Sequence, residues 1–185
     1  MCCKVIAGVF CALFLVFCSG VNSEADDSGV VLINEFMVRN SGTSPYMDCI
    51  KQHGDWVELY NPGPESVQMS NFYLSDRIGN LDKYQLHDTV IPAGGLYLLW
   101  SGDTTNDSGT CVHHNHFDFG FDWNDSINVE MVIISNEDGD IVDSVSFLGI
   151  PAATKQDTSY GRFPDGSETW QTQLTPTPGT SNVGK

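Results

Sequence analysis

The stretch Asp55-Trp56-Val57-Glu58-Leu59-Tyr60-Asn61-Pro62-Gly63 constrains the fold more than any other part of the chain. It alternates, with Val57 and Leu59 on one face and Trp56, Glu58 and Tyr60 on the other, which is the period of a β-strand. β-Branched and aromatic residues fill it, and Asn-Pro-Gly ends it with turn chemistry. A strand of this kind belongs in a sheet with one face in a core. Other strands must pair with it or pack across from it.

Several such segments follow one another. Val30–Val38 is apolar except for Asn34 and Glu35, and a carboxylate at position 35 has to face water, pair or bind something. Short pieces are expected at Val67–Met69, Phe72–Leu74 and Lys83–Leu86. Leu96–Trp100 is nearly continuous in apolar character, as expected for a strand covered on both faces. Ile127–Ile134 and Ile141–Phe147 flank Glu137-Asp138-Gly139-Asp140, a hairpin signal. Ser159–Phe163, the Pro164–Ser167 turn and Trp170 follow, and Thr175–Gly179 reads as an extended tail. No segment keeps a 3.6-residue period over three turns. The pattern predicts an all-β chain, an immunoglobulin-like β-sandwich of about 8–9 strands, with a flattened barrel as the alternative.

The N-terminus has a different logic. Val5–Cys18 is an apolar run shorter than the roughly 20 residues of a membrane span, and Val21-Asn22-Ser23 offers a cleavage site. Residues 1–23 read as a signal peptide, with an uncleaved anchor and a lipoprotein acylated at Cys18 as lesser readings. Residues 24–29 form an acidic leader, 30–182 the domain and 183–185 a tail. Cleavage after Ser23 leaves 162 residues, one domain's worth. Export implies a secreted or cell-surface protein, without membrane insertion after cleavage.

After Ser23 the chain has seven Lys and Arg against 24 Asp and Glu, a net charge of −17. That argues against nucleic acid and anionic lipid as partners, since both need clustered cations. Four of the six cysteines lie in the signal, leaving Cys49 and Cys111. In an oxidising compartment the pair is expected as a disulfide.

The ordered motifs resemble a known family. Ile33-Asn34-Glu35-Phe36-Met37, then Asp55–Asn61, then Tyr73-Leu74-Ser75-Asp76 carry the first half. Ile91-Pro92-Ala93-Gly94-Gly95 with Leu98-Leu99-Trp100, Asp157–Arg162 through Pro164-Asp165-Gly166, and Pro176–Gly179 carry the rest. The series resembles the lamin tail domain, from Val30 to about Asn182, and implies an immunoglobulin-like sandwich. No heptad rod precedes it, and a signal peptide stands where a nuclear protein has an import signal. It looks like the secreted lamin-tail modules of bacteria, which often accompany nucleases, hydrolases or surface anchors on longer chains. Only Val183-Gly184-Lys185 follows here, so no catalytic partner or C-terminal anchor is expected.

Three constellations could carry chemistry. Glu35, Asp55, Glu58 and Asp76 could converge on calcium, which takes six to eight oxygens; turn caps and cross-strand pairs are the competing account. Cys49, His53, Cys111 and His113 could hold a transition metal, with zinc ranked below the disulfide. Trp56 and Tyr60 share a strand face that could hold a sugar ring or a protein ligand, against ordinary sheet packing. No nucleophile elbow, zinc-protease helix or phosphate loop is present. The expectation is a secreted, non-catalytic module without a cofactor, binding protein or polysaccharide at the cell surface through loops Arg39–Gly54 and Ser101–Asp125. The alternative is a small secreted hydrolase, with or without a metal, using His113, His114, His116, Asp55 or Glu58.

Overall fold

A computed structural model describes residues 30–102, 116–122, 130–147, 150–151, 153–173 and 175–184. The segments read from the sequence as a signal peptide and an acidic leader, together with Cys111, His113 and His114, lie outside the described residues.

The chain forms a two-sheet sandwich. Its strands are β1 (Leu32–Met37), β2 (Trp56–Tyr60), β3 (Val67–Gln68), β4 (Phe72–Ser75), β5 (Tyr84–Gln85), β6 (Val90–Ile91), β7 (Leu96–Ser101) and β8 (His116–Phe117). Then follow β9 (Met131–Asn136), β10 (Ile141–Ser146), β11 (Ser159–Arg162) and β12 (Trp170–Gln173). One sheet runs β12-β11-β1-β2-β7-β8, the facing sheet β10-β9-β4-β5, and β3 pairs β6 beside them. Among the described residues eight strands have four or more residues, and the other four are two-residue pieces too short to show a sequence period. All pairings among the described residues are antiparallel except β7 with β8.

Alternation decides what fills the space between the sheets. Ile33, Phe36, Val57, Leu59 and Leu99 enter it from one side, and Phe72, Leu74, Val132 and Ile134 from the other. The Asn136–Asp140 turn joins β9 to β10, with Gly139 in the left-handed region at φ 81°, which costs glycine nothing. β10 forms the edge of its sheet. The core of β2 is as the alternation requires. Its other face is also closed: Trp56 and Glu58 are both fully buried. That row, which alternation leaves as either a ligand face or ordinary sheet packing, is roofed by the 39–54 loop and by the C-terminal segment.

Candidate functional site

That roofed face holds the most unusual chemistry in the molecule. β1 pairs with β2 in register Ile33↔Leu59, then Glu35↔Glu58, so Asn34 is an extra residue in a β-bulge. A bulge re-aims side chains. Ile33 and Phe36 stay in the core, while Asn34 and Glu35 both turn outward and lie beside Glu58. Asn34, Glu35 and Glu58 are all 0% exposed.

The segment from residue 175 closes over them. Thr177-Pro178-Gly179-Thr180 is a tight turn, with Thr180 N–H donating to Thr177 O at 2.9 Å and Gly179 at φ 81°. Pro at the second and Gly at the third position suit such a turn, so the expected extended tail is a folded strap. Gly179 N–H donates to Glu58 Oε2 at 2.7 Å, and Asn34 Nδ2 donates to Glu58 Oε1 at 3.1 Å. Thr177 N–H sits 3.3 Å from both Glu35 oxygens, and its hydroxyl is 2.7 Å from Oε2. Ser159 Oγ on β11 donates to Glu35 Oε1. Asn182 ends the strap: its N–H donates to Asp165 Oδ1 at 2.9 Å, and its Nδ2 to Arg162 O at 2.7 Å and Asn34 O at 3.3 Å. Gly161 on β11 is the floor beneath, where a Cβ would lie 2.9 Å from Asn182 Nδ2 and 3.0 Å from Glu35 Cγ.

Burial dominates the electrostatics here. It raises the Glu35 carboxyl above its usual range, against the hydrogen bonds of Ser159 and Thr177. It pushes Glu58 up to about 8, against Asn34 and Gly179 and with Glu35 and Asp165 adding repulsion. Two carboxyls on paired residues in one dry site resist ionising together.

The other expected ligands go elsewhere. Asp55 joins the two long loops, accepting from Phe121 N–H at 3.1 Å and Asn40 N–H at 3.5 Å, and burial pushes it up to about 6. Gly54 beside it packs where a Cβ would lie 1.9 Å from Ser101 O. Asp76, 2% exposed, pairs with Lys83 and with Arg77 Nε at 3.3 Å, and Arg77 also reaches Glu130 at 3.4 Å. The four candidate calcium carboxylates are therefore divided among three places, and only Glu35 and Glu58 meet. Among the described residues no three His, Cys, Asp or Glu side chains gather as a metal-holding group.

The transition-metal set fares no better. Cys49 is disulfide-bonded, so its sulfur is not a free thiolate ligand. Its partner lies outside the described residues, as does His113. His53 Nδ1 is buried without a hydrogen-bond partner among the described residues. The aromatic face is also covered. Trp56 is fully buried and packs with Met37, Trp100, Tyr46 and Leu98; the two indoles are 6.2 Å apart. Tyr60 lies under the Pro164–Ser167 turn, where a Cβ on Gly166 would come within 2.7 Å of its ring. Trp56 and Tyr60 thus form packing beneath loops rather than an open ligand platform.

Several residues of this site lie in or beside the motif series but have no site role assigned from the sequence: Asn34, Ser159, Asp165, Thr177 and Asn182. A second missed group sits on the inner side. Arg162, 8% exposed, donates from Nε to Ile33 O at 2.8 Å, from Nη1 to Ser167 O at 2.7 Å and from Nη2 to Asp143 Oδ2 at 3.0 Å. Its guanidinium stacks 4.7 Å from the Trp170 ring centroid. The two turn motifs, Pro-Asp-Gly-Ser and Thr-Pro-Gly-Thr, were the readable hints.

No curated protein sequence matches the chain. The family model described as Lamin Tail Domain matches residues 24–149. That match spans more than half of the sequence and the motif series on β1, β2, β4 and β7, on a β-sandwich of the expected kind: the chain belongs to the lamin tail domain family.

Proposed function

We propose that this lamin-tail-like domain is an exported, non-catalytic module that recognises a protein or polysaccharide at the cell surface or in the extracellular matrix. One observation carries the reading. Asp55 and Glu58, the carboxyls best suited to acid–base work, are capped by N–H groups of their own chain and closed under their own loops. A general acid or base must reach a substrate proton, and among the described residues these two accept from backbone N–H groups of their own chain and from Asn34. The fold spends its perturbed carboxyls on fastening segments together.

Recognition then falls to the surface. Inside the 39–54 loop Asp48 closes a first turn, accepting from Ile50 N–H at 2.9 Å and Gln52 N–H at 2.7 Å, and Asp55 fastens the start of the loop through Asn40 N–H at 3.5 Å. Cys49 sits in that first turn, and Cys111 is its proposed disulfide partner, tying this loop to the second excursion. The high negative charge directs the module toward neutral or cationic partners.

The test uses the exported, processed chain. Intact mass should show the loss of two hydrogens for one disulfide. Arrays of polysaccharides and matrix proteins should give saturable binding, while broad hydrolase screens with and without added zinc or calcium stay at background. Turnover that Asp55→Asn or Glu58→Gln abolishes would overturn the proposal.

A further inference from the structure

We infer that residues 175–184 are a proton-held latch: the strap stays on the sheet while the Glu35–Glu58 pair keeps a proton, and lifts when both carboxyls ionise. The geometry argues this through the supply of hydrogens. Thr177 Oγ1 lies 2.7 Å from Glu35 Oε2 and 2.8 Å from Asn182 Oδ1. Asn182 Nδ2 is committed to two carbonyls, so its Oδ1 is an acceptor without ambiguity. An ionised Glu35 is an acceptor too, and one hydroxyl hydrogen cannot serve both. A proton on Glu35 resolves the conflict. Glu35 donates to Thr177 Oγ1, Thr177 donates to Asn182 Oδ1, and every atom is satisfied.

The surroundings offer no other way to hold two charges. Glu35 faces Glu58 from β2, Asp165 from the turn after β11, the Ser159 hydroxyl from β11 and Tyr46 from the 39–54 loop. The strap itself contributes no titratable group over residues 175–184. Arg162 presents only its carbonyl here, because its guanidinium is turned to Asp143. Among the described residues no Lys, Arg or His forms an ion pair with Glu35 or Glu58. Both carboxyls already sit above their usual range, from burial first. When the last proton leaves, water must reach two adjacent carboxylates. The strap meets the pair through hydrogen bonds and is exposed over much of its length, so it moves before the apolar core does.

Amide hydrogen exchange on the full exported chain tests the latch, with rates corrected for base catalysis. Protection at Thr177 and Gly179 should fall about tenfold or more between pH 6 and 9.5 in the wild type, the factor that one pKa unit represents. In Glu35→Gln the side-chain amide donates to Thr177 as the protonated acid does, and protection should persist. A wild-type strap equally protected at both pH values overturns the inference. So does the same loss in Glu35→Gln, or a matching loss at Val132 and Ile134 on β9, which would report global unfolding. Carboxyl 13C titration of the wild type needs no variant: the pair's last proton must leave within about one pH unit of the loss of protection. A wider separation overturns the latch.

Discussion

Replacing Glu58 with Gln should destabilise the domain at pH 5 and relieve it at pH 8.5. Burial lifts the Glu58 carboxyl from 4.5 to about 8. Below pH 4.5 folded and unfolded chains both hold the proton, and stability does not depend on it. Between 4.5 and about 8 only the folded chain holds it, so stability falls by about 1.4 kcal/mol per pH unit. Above about 8 the loss is complete. The window spans roughly 3.5 units, an upper bound of about 5 kcal/mol. Glutamine cannot ionise and escapes that loss. It brings its own cost, because both Glu58 oxygens accept N–H groups and the new amide NH2 meets a donor, about 1–3 kcal/mol. The variant is therefore weaker by about 0–2 kcal/mol at pH 5, where the wild type has already lost about 0.7 kcal/mol, and stronger by about 2–4 kcal/mol at pH 8.5. Lifting of the strap rehydrates the carboxyl and reduces the second figure without removing the trend. Urea unfolding followed by tryptophan fluorescence at pH 5, 7 and 8.5 measures it. Parallel stability curves, with one constant difference between the proteins, would refute the linkage.

Three further outcomes follow from packing. Gly161→Ala places a methyl 2.9–3.1 Å from Asn182 Nδ2, Glu35 Cγ and Asn34 O; overpacking of this kind should cost about 1–3 kcal/mol, seen as a lower urea midpoint, and an unchanged midpoint would contradict the geometry. Arg162→Met strands Asp143 and leaves Ile33 O and Ser167 O without a donor, so unfolding should become easier by about 3–5 kcal/mol; Asp143→Asn in the same background should recover part of that. Trp56→Phe removes a buried indole N–H that has no partner among the described residues, so the change should stay within about 1 kcal/mol, whereas Trp56→Ala should cost about 3–5 kcal/mol by the same assay.

What was legible in the chain is local. The alternation of Val57 and Leu59 gave the core face of β2, and Asp138-Gly139 gave the β9–β10 hairpin, because both depend on neighbours in sequence. The need of Glu35 for a partner was also visible, since a carboxylate interrupting an apolar run has few outcomes. Its partner was not visible: Thr177 lies 142 residues away, and no period links two such positions. Nor could alternation foresee the bulge at Asn34, which puts two consecutive side chains on one face. The closed outer face of β2 escaped for the same reason. Packing of Trp56 and Tyr60 was the favoured account, but the distant turn and long loop that supply it have no local signature. The candidate calcium set gives way to the competing account of caps and pairs, because four acidic residues in shared motifs serve three separate joints, each between different segments.

The placement of Asp143 bears on how the protein avoids its own kind. β10 is a six-residue edge strand, and such an edge invites another chain to add on. Asp143 turns its carboxylate inward, to Ile33 N–H at 2.8 Å and to Arg162. An inward charge of this sort cannot be repeated through a stack of identical strands, since each layer would need its own buried guanidinium. Variants that lose Arg162 should then do more than unfold readily; they should be the ones that clump during expression and storage.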